Sequence, residues 1–201
     1  FPRVRAVKLG GEAVTRREIA LFRRVFLPGT TLYFGLGTTE TGTVTTCWAG
    51  HEGPLPRGVP LGKPAPDVEI LIVGPDGRPL EDGEARARDE GGELVIRSAF
   101  LAKGYWRDEA LTRTVFRDVP GRPGLREYRT GDLGRRLPDG TLEHLGRADS
   151  QVKVHGFRVE VTEVEAALER IDENADTAVG TREHDGRRAQ SAGVRVGREH
   201  E

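Results

Sequence analysis

YRTGDLGRRLPDGTLEHLGR, residues 128–147, reads as one β-hairpin. Pro138-Asp139-Gly140 is turn chemistry, with proline presetting φ and glycine taking the left-handed position, and the residues on both sides alternate in polarity. If the loop is Asp139-Gly140 alone, Asp132 falls opposite Arg147 and Arg136 opposite Glu143; a type I turn with Gly140 as a bulge slips that register by one. In both cases Asp132 and Arg147 meet at the open end, where cross-strand neighbours on one face have Cβ atoms about 5 Å apart. The hairpin alone leaves two readings of that meeting: a surface ion pair worth about 0–1 kcal/mol, or a charged element of a binding site.

The flanking sequence supplies a context. Downstream, ADSQVKVHGFRVEV (148–161) alternates as two strands about Gly156, and Thr162 with Glu165 forms a capping box for a helix carrying Val164, Leu168 and Ile171. Beyond Asp172 periodicity fades. Upstream, from Pro54, short strands alternate with Pro/Gly turns: Val68–Val73, then GPDGRP, then Glu93–Arg97, followed by a short helix capped by Asp108 and running through Val115. The mixed-charge run EDGEARARDEGG (81–92) reads as a solvated loop.

Nearer the start, Arg3–Leu9 alternates as a strand and stops at Gly10-Gly11-Glu12. Thr15 and Glu18 then make a capping box, and Ile19, Phe22, Val25 and Phe26 recur at helical spacing until Pro28-Gly29. A second strand, Thr31–Phe34, leads into GLGTTETGTVTT (35–46). Strand, helix, strand and Gly-rich loop form the α/β pattern, in which loops at strand C-termini carry ligands. The expected fold is therefore mixed α/β: the end of an α/β sheet layer to about residue 53, a β-rich module to 148, and a small α+β subdomain over 149–201.

Composition excludes several classes. The 31 basic and 32 acidic residues nearly cancel, giving a net charge of −1, so no whole-chain field points to nucleic acid or an anionic membrane. No apolar run approaches the roughly 20 residues of a membrane span. The single cysteine, Cys47, excludes an intramolecular disulfide and suits a reducing cytoplasm, where it is expected as a small buried hydrophobe. The chain has no methionine and opens on a strand-like run, so it is expected to be a piece of a longer protein. Its basic residues comprise only four lysines (Lys8, Lys63, Lys103, Lys153) against 27 arginines.

GLGTTETG (35–42) combines glycines, hydroxyls and one carboxylate. Glycine lets backbone N–H groups approach phosphate oxygens, threonine hydroxyls donate to them, and a carboxylate can hold Mg2+ against the same oxygens. The stretch is neither a Walker loop nor GxGxxG, and an ordinary Thr-rich strand end would look similar. Paired with TGD it says more, because an ATP site needs a phosphate cradle and a separate ribose grip, and a carboxylate accepting from two sugar hydroxyls provides such a grip.

Four ordered motifs, GLGTTETG, GELVIRSAFLAKGYW (92–106), YRTGDL (128–133) and GRADSQVKVHGFRVEVTEVEAAL (146–168), resemble the adenylate-forming enzymes: nonribosomal peptide synthetase adenylation domains, acyl- and aryl-CoA ligases and firefly-type luciferases. The likeness extends to about Ile171 and is strongest to the peptide-synthetase adenylation domains. It implies a distorted barrel for the β-rich module and a truncated C-terminal subdomain. It also implies that Gly37, Thr38 and Thr39 contact phosphate, with Thr39 and Glu40 catalytic and Glu40 holding Mg2+. Gly11 and Glu12 would lie beside the adenine, and Asp132 would take both ribose hydroxyls with Arg147 beside it. Asp149 corresponds to the hinge of the small subdomain, while Lys153 and Gly156 match the segment that faces the site in the thioester-forming state. Val7, Leu9, Gly35, Thr43 and Val44 would line part of the substrate pocket.

The resemblance implies ATP or AMP and Mg2+ as cofactors. The substrate would be a carboxylate, an amino acid by class, and the acyl acceptor the phosphopantetheine thiol of a peptidyl or acyl carrier domain. Two alternatives remain open: an acyl- or aryl-CoA ligase, and a non-catalytic module that binds nucleotide or a carrier. Two departures stand out. Leu36 occupies the position where the family carries an adenine-stacking aromatic, and no lysine follows Lys153.

Overall fold

The computed structural model describes residues 1–81, 91–149, 151–154, 157–161, 163–164, 167, 175–184 and 187–198. The chain divides into two compact units, Phe1–Ala148 and Asp149–Glu201.

The first unit begins with a β-α-β element. β1 (Ala6–Lys8) lies parallel to β2 (Thr31–Phe34), with Val7 opposite Leu32. β1 is shorter than the Arg3–Leu9 alternation predicts because its partner has only four residues; single bonds, Thr31 N–H to Arg5 and Leu9 N–H to Tyr33, extend the ladder at each end. The connecting helix α1 (Arg16–Val25) starts at the predicted capping box: Thr15 Oγ1 accepts from the Arg17 N–H at 3.2 Å, and the Glu18 carboxylate accepts from the Thr15 N–H at 2.8 Å. Ile19 and Phe22 on its inner face close a core with Val14, Leu32 and Phe34.

After β2 the chain makes a miniature hairpin, β3 (Gly37–Thr38) with β4 (Gly42–Thr43), and returns as β5 (Thr45–Ala49) antiparallel to β2. β6 (Val59–Pro64), β7 (Glu69–Val73), β8 (Gly92–Ser98), helix α2 (Glu109–Val115), β9 (Phe116–Asp118), β10 (Arg126–Arg136) and β11 (Leu142–Arg147) complete the unit. All but β3 and β4 join one nine-stranded sheet of order β1-β2-β5-β6-β11-β10-β8-β7, with β9 beside β10. The α/β layer and the β-rich module thus share a continuous ladder through β5 and β6, and among the described strands that ladder does not close on itself. Period-two alternation sends Ile70 and Ile72 of β7 and Leu94 and Ile96 of β8 into a second core with Leu36, Val44, Leu61 and Leu142.

The β10–β11 hairpin realises both predicted registers, one at each end. Near the turn, Arg136 faces Leu142 and Arg135 faces Glu143; past a shift at Leu133/Gly134, Leu133 faces Gly146 and Asp132 faces Arg147. The turn is the Gly140-bulge form (φ 82°), and the extra residue opposite the shift, Leu145, restores the other register. One expected pairing changes accordingly: Glu143 accepts from Arg135 Nε at 2.7 Å rather than pairing with Arg136.

In the second unit β12 (Gln151–Val154) pairs with β13 (Phe157–Glu160) as the alternation predicts, and Val161, Glu163, Val164 and Ala167 are helical. Gly156, the Thr162–Glu165 capping box, Leu168 and Ile171 lie outside the described residues. Where periodicity fades, the structure has a long antiparallel hairpin of β14 (Ala175–His184) and β15 (Arg187–Arg198). Its strands carry few large apolar residues; Val179 opposite Val194 and Thr177 opposite Val196 are all that the period-two signal had to work with.

Candidate functional site

The Thr-Gly-Asp segment is a bulge. On β10, Arg129 faces Val95 and Leu133 faces Glu93, so Thr130, Gly131 and Asp132 share the single residue Leu94 across the ladder. Four bonds fix the bulge. Thr130 Oγ1 donates to the Leu94 carbonyl at 2.7 Å and accepts from the Asp132 N–H at 2.9 Å, the Gly131 N–H donates to Glu93 Oε1 at 3.2 Å, and the Ala148 N–H donates to the Gly131 carbonyl at 2.8 Å. Arg129 holds the other oxygen of Glu93 through Nε at 3.0 Å and through Nη2. That hydrogen bond keeps the Arg129 guanidinium protonated beyond its ordinary range, against the opposing effect of burial.

Asp132 lies on the buried face of β10, in line with Tyr128 and Thr130. Arg147 Nη1 donates to its Oδ1 at 2.9 Å, and His144 Nε2 lies 3.2 Å from the same oxygen. Oδ2 receives no hydrogen bond from the described residues, so this oxygen remains available as an acceptor. With side-chain exposures of 9% for Asp132 and 15% for Arg147, the pair is no surface ion pair, which overturns the first of the two readings taken from the hairpin alone.

The Gly/Thr-rich hairpin stands elsewhere in the same unit. Leu36 N–H donates to Thr45 Oγ1 at 2.7 Å and Val44 N–H to the Leu36 carbonyl at 2.9 Å, which closes the base. Gly35 is required here by close approach, because a Cβ would come within 2.8 Å of the Thr45 carbonyl carbon and nearer still to its oxygen. Thr38 Oγ1 bonds Thr41 Oγ1 at 3.1 Å, while Thr39 is exposed at the tip. Glu40 is buried: its Oε1 accepts from the Tyr105 hydroxyl at 2.8 Å and its carbonyl from the Ala102 N–H at 2.8 Å.

Because β1 and β2 are parallel, the turn after β1, containing exposed Gly11 and Glu12, and the loop after β2, containing Gly35 and Gly37–Glu40, leave the same end of the sheet. Of the expected pocket residues, Thr43 is exposed, Val7 and Leu9 pack on the α1 core, and Val44 is 1% exposed within the second core, where packing occupies its side chain. Leu36 is likewise a core residue. Asp149 opens the second unit, exposed, with Oδ1 accepting from the Gln151 N–H at 3.1 Å, and Lys153 lies on β12 opposite Arg158.

Glu93, Tyr105 and His144 escaped the sequence reading. Glu93 carried one available signal, a carboxylate at the start of an otherwise apolar strand; Tyr105 and His144 meet their partners across 65 and 12 residues, which no local pattern announces.

No three carboxylate, histidine or cysteine side chains cluster as a metal cage among the described residues. A single buried carboxylate beside exposed hydroxyls nevertheless suits Mg2+, which takes one or two protein carboxylates and completes its shell with phosphates and water.

Residues 1–106 match the family described as AMP-binding enzyme. Tyrocidine synthase 2 of Brevibacillus parabrevis is 41% identical over 151 residues, covering 75% of this chain and 4% of that protein. Gramicidin S synthase 1 of Brevibacillus brevis is 41% identical over 143 residues, 71% of this chain and 12% of that protein. The chain thus spans a small fraction of these relatives. Among solved structures, PA1221, an NRPS protein containing adenylation and PCP domains, superposes with a TM-score of 0.72 at 30% identity, over 96% of this chain and 37% of that one. The Vibrio cholerae adenylation domain AlmE, in complex with glycyl-adenosine-5'-phosphate, gives 0.77 at 26% identity, over 97% and 36%.

Proposed function

Because this chain belongs to the AMP-binding enzyme family, we propose that it carries the nucleotide-gripping part of an adenylation site. In this reading a carboxylate, an amino acid by class, is activated with ATP and handed to the phosphopantetheine thiol of a carrier domain. The observation that carries the reading is Asp132: a buried carboxylate with Arg147 and His144 on Oδ1 and an acceptor oxygen to spare, presented by a braced bulge. Two ribose hydroxyls donating to it would each form a charge-assisted bond. The peptide-synthetase names of the relatives, the PCP domain of PA1221 and the glycyl adenylate bound to AlmE support the amino acid and the carrier.

In this reading Gly11 and Glu12 border the adenine, and Gly37, Thr38 and Thr39 face the phosphates, with exposed Thr39 the direct donor because the Thr38 hydroxyl already bonds Thr41. Glu40 would hold Mg2+, which when bound neutralises charge on the phosphate oxygens. An oxygen of the substrate carboxylate attacks the α-phosphorus, the bond to the bridging oxygen of pyrophosphate breaks, and the thiol later displaces AMP from the acyl carbon. Val7, Leu9, Gly35 and Thr43 lie toward the acyl group, Asp149 serves as hinge, and Lys153 belongs to the segment that acts in the thioester-forming step.

The test is calorimetric titration of AMP into the 201-residue chain and its Asp132→Asn variant. The expected result is binding by the wild type and affinity weaker by about tenfold or more in the variant, the loss of at least one hydrogen bond to a charged acceptor. Equal affinities in two folded proteins refute the ribose assignment.

A further inference from the structure

Tyr105 is the residue that the proposed reading leaves without a task. Its hydroxyl donates to Glu40 Oε1 at 2.8 Å, 65 residues away in sequence. Its ring meets Phe116 edge-on at 5.9 Å, and Phe116 packs at 4.8 Å on Tyr128, which is 1% exposed and stands four residues before Asp132 on β10.

The backbone around Tyr105 is fastened from three sides. Ala102 N–H donates to the Glu40 carbonyl at 2.8 Å, Tyr105 N–H to Thr112 Oγ1 of α2 at 2.9 Å, and Arg126 Nη1 of β10 to the carbonyls of Ala102 at 2.9 Å and Lys103 at 3.1 Å. Gly104, at φ 148°, makes this closure possible, since a Cβ there would come within 2.5 Å of Thr112 Cγ2.

We propose that Tyr105 is the positioning residue of Glu40, fixing the carboxylate in the orientation in which it meets magnesium-bound nucleotide and tying the Gly/Thr-rich hairpin to the strand that carries Asp132. The inference rests on the Glu40 assignment above. A free glutamate loses rotamer entropy when it is held in one geometry. A phenol anchored by aromatic packing has already imposed that geometry before a ligand arrives, the role outer partners play for metal-binding carboxylates.

The test measures ATP affinity in Mg2+ and in EDTA, AMP affinity in EDTA, and the urea midpoint, for the wild type, Glu40→Gln and Tyr105→Phe. The expected result is that Glu40→Gln removes the Mg2+-dependent gain in ATP affinity. Tyr105→Phe should reduce that gain by about tenfold or more, leaving AMP affinity in EDTA near wild type while lowering the urea midpoint, because buried Glu40 loses a hydrogen-bond donor. A wild-type gain in Tyr105→Phe alongside loss in Glu40→Gln overturns the positioning role and leaves the Glu40 reading standing. A gain retained in Glu40→Gln, or absent from the wild type, overturns the Glu40 reading and this inference with it. A fall in AMP affinity in EDTA as large as the fall in ATP affinity in Mg2+ makes the hydroxyl structural and likewise overturns the proposal.

Discussion

The Arg147 guanidinium donates to the Asp132 carboxylate across 2.9 Å, with Asp132 buried and Arg147 partly buried at the end of a hairpin. Removing one partner of such a pair leaves the other charge inside without compensation, whereas removing both leaves no charge to compensate. Asp132→Ala and Arg147→Met are each expected to lower the unfolding free energy by about 3 kcal/mol, and the double variant by clearly less than the sum. Urea melts at neutral pH measure all three. Additive losses would show that the charges are uncoupled. Nucleotide affinities of these variants therefore have meaning only under conditions in which each remains folded.

At the start of α1 the prediction concerns pH. Burial pushes the Glu18 carboxyl up, but the hydrogen bonds from the Thr15 hydroxyl and N–H outweigh it and hold the group below the ordinary carboxylate range. A carboxyl depressed in the folded state adds stability above its unfolded pKa of about 4.3 and loses that contribution as pH falls through the folded value. Glu18→Gln is expected to destabilise the protein at pH 7 and to make no difference at the acid end of that window. Thr15→Ala removes the other half of the box at a cost of about 1 kcal/mol. Urea midpoints between pH 3 and pH 7 would show it; a pH-independent effect of Glu18→Gln contradicts the account.

The local elements were legible because each has a local cause. The Thr15 cap, the Asp108 cap and the Gly140 turn are written in single residues, and α1 and β2 lie where spacing puts them. Long-range facts were not. Both hairpin registers could be written down from the turn, but that Leu145 would bulge and join them depends on β10 also pairing with β8, where a second bulge must be accommodated. The burial of Asp132 depends on which face of β10 meets the core. The Gly-rich stretch suggested phosphate chemistry, yet Gly35 also answers to Thr45 across the hairpin base, a constraint that appears only when the strands have met. That Val44, read as a pocket residue, also packs in the second core is hidden for the same reason.

Cys47 gives a prediction about reactivity. Burial raises its thiol pKa, only partly offset by a hydrogen bond from the Trp48 backbone, so little thiolate exists near neutrality. The folded protein is expected to react with iodoacetamide at pH 7.5 more slowly than the same protein in urea corrected for the solvent. Because the folded state holds this proton more tightly, the thiol's contribution to stability is full below the unfolded pKa of about 8.5 and declines as pH rises beyond it. Equal alkylation rates in the folded and unfolded protein would contradict the burial argument.

Gly35 tests whether the Gly/Thr-rich hairpin owes its glycine to backbone packing. A methyl group there has no free direction, since the Thr45 carbonyl already occupies the place of the Cβ. Gly35→Ala must push Thr45 away, and the bonds from Leu36 N–H to Thr45 Oγ1 and from Val44 N–H to the Leu36 carbonyl loosen with it. Leu36 and Val44 are both core residues, so the strain reaches the second core, and a loss of about 3 kcal/mol is expected. Gly10 is the control. Nothing lies within 4 Å of a Cβ at Gly10, so Gly10→Ala is expected to be neutral or to stabilise by about 0.5 kcal/mol through the unfolded chain. Urea denaturation of the two variants side by side decides the matter. If Gly35→Ala is as harmless as Gly10→Ala, the close approach does not constrain the hairpin, and the glycine there would have to be explained by what the loop binds.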